Sequence, residues 1–112
     1  MAQRLTAAKP ITWRGKGDLL QCAWSLPVHG TWLVIDLWSG ISGLLIALLS
    51  MGVHFYAVAA ECDSNAREAA AACMPNLLHV DDVAKVRAVD FKGLIQKRKP
   101  RGILVGGEPL SG

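Results

Sequence analysis

Apolar and polar positions along this chain fall into runs that alternate between strand and helix character. Trp32-Leu33-Val34-Ile35 is a short apolar run with β-branched members, which predicts a strand buried on both faces. Beyond the glycine turn Ser39-Gly40-Ile41-Ser42-Gly43, Leu44 to Leu49 are good helix formers and predict a helix over 42–51, stopped by Gly52. A second strand is expected over 54–60, where Val, Phe and Tyr replace the leucines. A helix over 65–73 follows, capped by Asp63 or Ser64, rich in alanine and ended by Pro75. Leu77 to Val80 reads as a third strand. Val83, Val86, Ala88 or Val89, and Leu94 recur at roughly helical spacing and predict a helix over 83–97, weakened by Gly93. Residues 101–105 make a fourth strand and 106–112 a terminal loop.

This β-α-β-α-β-α-β order predicts an α/β fold, a partial doubly wound parallel sheet of about four strands. It occupies residues 31–112. Residues 1–30 stand apart as an extension that packs on the sheet, with no function assigned. Pro10, Gly15, Gly17, Pro27 and Gly30 punctuate it, Trp13 and Trp24 anchor it, and Asp18 to Trp24 has room for a helical turn or two.

One apolar stretch permits a different architecture. Ile41 to Ala60 carries no formal charge and is long enough to cross a bilayer as a helix. Gly52-Val53-His54 interrupts it, and a histidine inside a membrane is costly. A helix, a glycine stop and a strand account for the change of residue type at Gly52, which argues against a membrane partner. A small membrane protein with one span at 41–60 is the alternative.

Charge sharpens the picture. The chain is 52% hydrophobic and 19% charged, which excludes an intrinsically disordered composition. Its net charge of +3 conceals a division. Residues 36–82 hold Asp36, Glu61, Asp63, Glu68, Asp81 and Asp82 against Arg67 alone, while the flanking segments are basic. An acidic centre suits a cationic or hydroxyl-rich ligand and basic flanks suit a polyanion, unless both are ordinary solvated faces. Cys22, Cys62 and Cys73 have no metal-ligand spacing, and their odd number favours a reducing compartment over a disulfide framework. His29, His54 and His79 show no zinc pattern. The basic residues before Asp18 leave an organellar transit peptide open. Lys97-Arg98-Lys99-Pro100-Arg101 reads either as a nuclear import run or as a solvated helix end, so nuclear and cytoplasmic locations both stand.

The candidate chemistry lies where the strands end. Asp36 closes the first strand, Glu61 the second, Asp81 and Asp82 the third, Gly106 and Gly107 the fourth. Ligands of open α/β sheets bind at the carboxyl ends of their strands. Glu61 follows Asp36 by about 25 residues, near the interval at which an acid takes ribose hydroxyls. Its bland alternative is a capping or solvated carboxylate. Asp82 is suited to an adenine amine, to a helix N-cap, or to both. The turn lacks a Lys-Ser/Thr phosphate clamp and its approach is acidic, which favours adenosine without a pyrophosphate and points to S-adenosyl-L-methionine.

These residues also carry a family resemblance. Asp36-Leu37-Trp38-Ser39-Gly40-Ile41-Ser42-Gly43 resembles the first motif of the cytosine-C5 DNA methyltransferases, although Ser42 replaces a common glycine. Ala60-Glu61-Cys62-Asp63 resembles their second motif, Asp81-Asp82-Val83 their third, and Val105-Gly106-Gly107-Glu108-Pro109 the start of their fourth. The resemblance covers about Leu33 to Pro109 in the family's order. It implies a Rossmann-like, S-adenosylmethionine-dependent methyltransferase fold. The backbone from Trp38 through Ser39, Gly40 and Ile41 to Gly43 would hold the methionine part, with Trp38 near the adenine. Glu61 would take the ribose hydroxyls, Cys62 would pack on the adenine, and Asp82 with Val83 would read its edge. Asp36, Leu37 and Gly106 belong to the same expected pocket. DNA is the partner implied.

In that family a cysteine follows the fourth motif's proline and attacks C6 of a flipped cytosine. Here Pro109 is followed by Leu110, and the family's later motifs are absent from these 112 residues. The expectation is therefore the cofactor-binding half of a cytosine-5 methyltransferase, truncated and inactive alone, with no catalytic residue of its own. A regulatory module that pairs its exposed sheet edge with a partner or a second copy is the other soluble reading.

Overall fold

The computed structural model describes residues 1–15 and 31–107. The turns expected at Asp18 to Trp24, Cys22, His29 and the terminal loop from Glu108 onward, with Leu110, lie outside the described residues.

Four strands, β1 (Trp32–Asp36), β2 (Phe55–Ala60), β3 (Leu78–Val80) and β4 (Ile103–Gly106), form one parallel sheet in the order β3-β2-β1-β4. The α/β class and its all-parallel sheet are thus as expected. Helix α2 (Gly43–Ser50) links β1 to β2, and α3 (Ser64–Cys73) links β2 to β3. The path then returns past β2 and β1 to reach β4, and the strand order reverses beside β1.

Alternation along the strands builds two cores. Val34, Phe55, Ala57 and Ala59 face one side, where they pack with Leu45 of α2 and Ala70 of α3. Leu33, Tyr56 and Val58 face the other, with Phe91 and with Leu94 of α4 (Lys92–Arg98). The second side is completed from the start of the chain. Helix α1 (Ala2–Thr6) sets Leu5 and, just beyond it, Ala8 into that core, and the Ile11 N–H donates to Phe55 O at 2.9 Å. The leading residues therefore pack on both faces of the sheet: Leu5 and Ala8 cover the face that α2 and α3 leave open, while Ile11 and Trp13 join the core beneath α2 and α3.

Two helix ends follow from local chemistry. Asp63, not Ser64, caps α3: its Oδ1 accepts the Asn65 N–H at 2.9 Å. At the far end of α2 the Gly52 N–H reaches Leu49 O and the Val53 N–H reaches Leu48 O, with Gly52 at φ +77°. This glycine stop satisfies carbonyls that the helix leaves unpaired. It also divides the uncharged stretch 41–60 into a helix and a strand, and among the described residues no helix is long and apolar enough to cross a membrane.

The helix expected over 83–97 is the main correction. Residues Val83–Lys85 and Ala88–Phe91 form two short 3₁₀ turns, and only Lys92–Arg98 is α-helical. Val86 and Arg87 are extended between the turns. Three β-branched valines and Gly93 give the segment little intrinsic helicity, so burial of Phe91 and Leu94 decides its path. Val89, counted toward the apolar stripe, is 61% exposed. The fourth strand also begins two residues later than the expected 101, at Ile103. Ile103, Leu104 and Val105 are exposed along its outer edge.

Candidate functional site

The turn after β1 is pinned on both sides. The Leu37 N–H donates to Gly106 O at 2.8 Å and the Ser39 N–H to Ala60 O at 2.9 Å, so the turn bridges the ends of β4 and β2. Gly107 permits the first contact: at φ +109°, an added Cβ would collide with the Leu37 carbonyl. Trp38 and Ser42 also take positive φ, at 52° and 66°. A bulky residue rarely holds that conformation, and such strain concentrates at functional sites.

Glu61 ties the turn to β2. Its Oε2 accepts the Gly40 N–H at 2.7 Å and its Oε1 accepts the Asp63 N–H at 3.1 Å. Arg67, reaching back from α3, donates through Nη1 to the carbonyls of Glu61 and Cys62 at 2.7 and 3.0 Å. The Glu61 carboxylate is therefore held in place with acceptor capacity to spare, since each carboxylate oxygen has two lone-pair directions.

Asp36 sits deeper. It is only 3% exposed, and its Oδ2 is buried without a hydrogen-bond partner. Burial, and secondarily the negative charge of Glu61, push its carboxyl up to about 6. The Oγ atoms of Ser39 and Ser42 are likewise buried and unpartnered. Three orphaned polar atoms around one turn are conspicuous, because buried polar groups are normally paired.

A cleft of about 450 Å³ opens over the ends of β2 and β3, walled by Trp38, Glu61, Cys62, Asp82 and Val83 and shared at its rim by Asp81 and Lys85. Of the expected cofactor residues, those five line it directly. Gly40 reaches it through Glu61, while Asp36 and Ser39 are buried in and below the turn. Leu37, Ile41, Gly43 and Gly106 are not among its lining residues: Ile41 is 65% exposed and Gly106 is paired in register with Asp36. Asp82 fulfils its capping role, since its Oδ1 accepts the Ala84 N–H at 2.9 Å.

Arg67 and His79 did not emerge from motif or spacing. Arg67 had one available signal: it is the sole basic residue between positions 36 and 82. His79 had none, because its setting depends on Arg4 and Arg67, which are distant in sequence. Among the described residues no group of His, Cys, Asp and Glu is placed to hold a metal ion. No protein-family model matches the chain, and comparison with curated proteins gives no match.

Proposed function

We propose that this chain binds S-adenosyl-L-methionine in the cleft over β2 and β3, as the cofactor-binding half of a cytosine-C5 DNA methyltransferase-like domain, and that it transfers no methyl group by itself. The observation that carries this reading is the cleft of about 450 Å³ in which Trp38, Glu61 and Asp82, from three successive strand ends, meet. That volume lies in the range of small-ligand sites. Glu61 is oriented by the Gly40 and Asp63 N–H groups, with the Cys62 thiol also on Oε1, and its Oε2 keeps a lone pair for a hydroxyl. Trp38, 45% exposed, offers an aromatic wall. Asp36, buried below the turn, and Glu61 and Asp82 in the cleft wall together set a negative potential that favours a ligand carrying a cation.

The bound cofactor would supply an activated methyl group. This chain's residues would hold its ribose and adenine and place negative charge near its cationic end. A methyl acceptor activated by covalent addition needs a nucleophile, and Leu110 offers only hydrocarbon at the position where the family carries cysteine.

Calorimetric titration with S-adenosylmethionine tests the reading. Weak, saturable binding is expected, and Glu61→Ala should lower it by about 1–3 kcal/mol through loss of charge-assisted hydrogen bonds. Equal affinity in the two proteins would remove Glu61 from the site. Labelled methyl groups appearing in cytosine-containing DNA with the wild-type chain would overturn the second half of the proposal.

A further inference from the structure

A second and larger cleft, about 600 Å³, lies on the other side of Asp81 and Lys85, between α1, α3 and the segment that follows β3. Its charged lining is opposite in kind. Arg4 comes from α1, Arg67 from α3, Lys85 from the first 3₁₀ turn, and Arg87 from the extended link beyond it. Two carboxylates also face it, Asp81 and Asp90. Lys85 bridges Asp81 at 2.6 Å, and Arg87 stands 4.0 Å from Asp90. Four cationic side chains against two anionic ones leave a surplus of two positive charges in one concavity.

Arg4 and Arg67 have little else to neutralise them. Arg4 Nη1 makes one long contact, 3.4 Å to His79 O, and Arg67 Nη1 is spent on two backbone carbonyls. Neither forms a salt bridge among the described residues. Between them stands His79, whose Nε2 is buried without a partner and whose side chain lines the same cleft. Burial, then the charges of Arg67 and Arg4, lower its pKa, with Glu61 opposing weakly, so His79 is held neutral. A neutral imidazole protonated on Nε2 offers an unused donor. Convergent guanidinium groups with a neutral donor between them are matched to phosphate oxygens, which accept from several donors at once.

We propose that the cleft bounded by Arg4, Arg67, His79 and Arg87 is a binding site for a pyrophosphate group. A diphosphate fits better than a single phosphate, because the cations enter from separate elements around a space of about 600 Å³. The site is independent of the S-adenosylmethionine reading. The adjoining cleft shares Asp81 and Lys85 with it, so the group has two sources, free pyrophosphate or the diphosphate tail of a nucleotide whose base lies next door.

The test uses the full chain, with the imidazole proton resonances of His79 followed by NMR during titration with inorganic pyrophosphate at constant ionic strength. Saturable movement of the His79 signals is expected, together with a rise in its pKa as bound negative charge offsets Arg4 and Arg67. Arg4 and Arg87 are both exposed, so Arg4→Gln and Arg87→Gln should leave the fold intact. Each should weaken binding about tenfold, the usual consequence of losing one charge-assisted contact. Adenosine diphosphate binding more than about tenfold tighter than pyrophosphate would identify a nucleotide as the source, and equal affinity would identify the free anion. The proposal is overturned if His79 does not respond, if chloride reproduces the response, or if both variants bind as the wild type does. It is also overturned if a short DNA duplex moves the His79 signals and pyrophosphate does not.

Discussion

The two clefts lie side by side at the carboxyl end of the sheet and share the exposed Asp81–Lys85 ion pair, yet they are built differently. The acidic cleft is assembled from contiguous strand-end motifs, and backbone hydrogen bonds position its principal carboxylate, Glu61. The basic cleft is assembled from side chains spread between Arg4 and Arg87, and its cations are fixed mainly by the elements that carry them. One site depends on the sheet, the other on what docks against it. Arg67 joins the two, because it anchors the backbone that presents Glu61 while its charge faces the basic side.

The largest expected separation comes from undocking α1. Leu5 is 1% exposed and is the only buried residue of that five-residue helix. Truncation of a fully buried leucine costs about 2–5 kcal/mol. A helix this short has no stability of its own, so Leu5→Ala should loosen it and withdraw Arg4 from the basic cleft. The acidic cleft, which takes nothing from α1, should keep its ligand affinity at temperatures where the sheet stays folded. Denaturant unfolding together with the two titrations checks this. A stability loss with both affinities unchanged would show that Arg4 holds its place without the Leu5 anchor.

The same division explains what was legible in the amino-acid sequence. The strands, α2 and α3 could be read because their apolar runs are continuous and bounded by Gly52, Pro75 or a strand-end acid. The acidic cleft could be read for the same reason, since strand ends in a parallel sheet meet at one edge. Helix α1 escaped because a single apolar anchor, Leu5, has no periodicity to detect. Over 83–97 the valine spacing suggests a continuous helix, but Phe91 and Leu94 alone are deeply buried, and the segment follows them into two 3₁₀ turns before its helix at Lys92–Arg98. Asp36 reads as a strand end in the sequence and ends β1 in the fold, but its burial depends on β4 pairing beside it and on the turn folding over it. Neither is a local property of the sequence.

Asp36 gives the second contrast, in pH. Its carboxyl titrates near 6 in the fold against an ordinary 3.8, so the folded state binds the proton more tightly than the unfolded chain does. Its contribution to stability is therefore fully present below about pH 3.8 and is lost as pH rises through about 6. A shift of this size corresponds to about 2–3 kcal/mol. The wild type should lose that much relative to Asp36→Asn between pH 4 and pH 7, as measured by urea midpoints of both proteins. A cationic ligand in the acidic cleft should pull the Asp36 titration downward, whereas pyrophosphate in the other cleft should leave it nearly unmoved. Parallel pH profiles for the wild type and Asp36→Asn would show that Asp36 is solvated in solution and that the turn is looser than it appears.

The smallest effect concerns Asp82, which stands at the boundary. Its Oδ1 caps the 3₁₀ turn that carries Lys85, and its side chain lines the acidic cleft. Asp82→Asn keeps an oxygen for the Ala84 N–H and removes only charge, whereas Asp82→Ala removes the cap as well. Loss of a cap typically costs about 1 kcal/mol. Asp82→Ala should therefore lower stability by about that amount and weaken both ligands, because the turn holding Lys85 frays on both sides. Asp82→Asn should stay within about 0.5 kcal/mol of the wild type in stability and weaken only the ligand of the acidic cleft. Thermal midpoints with paired titrations distinguish these outcomes. If Asp82→Asn impaired both ligands equally, the negative charge rather than the cap would be organising the boundary, and the two clefts would have to be treated as one continuous site.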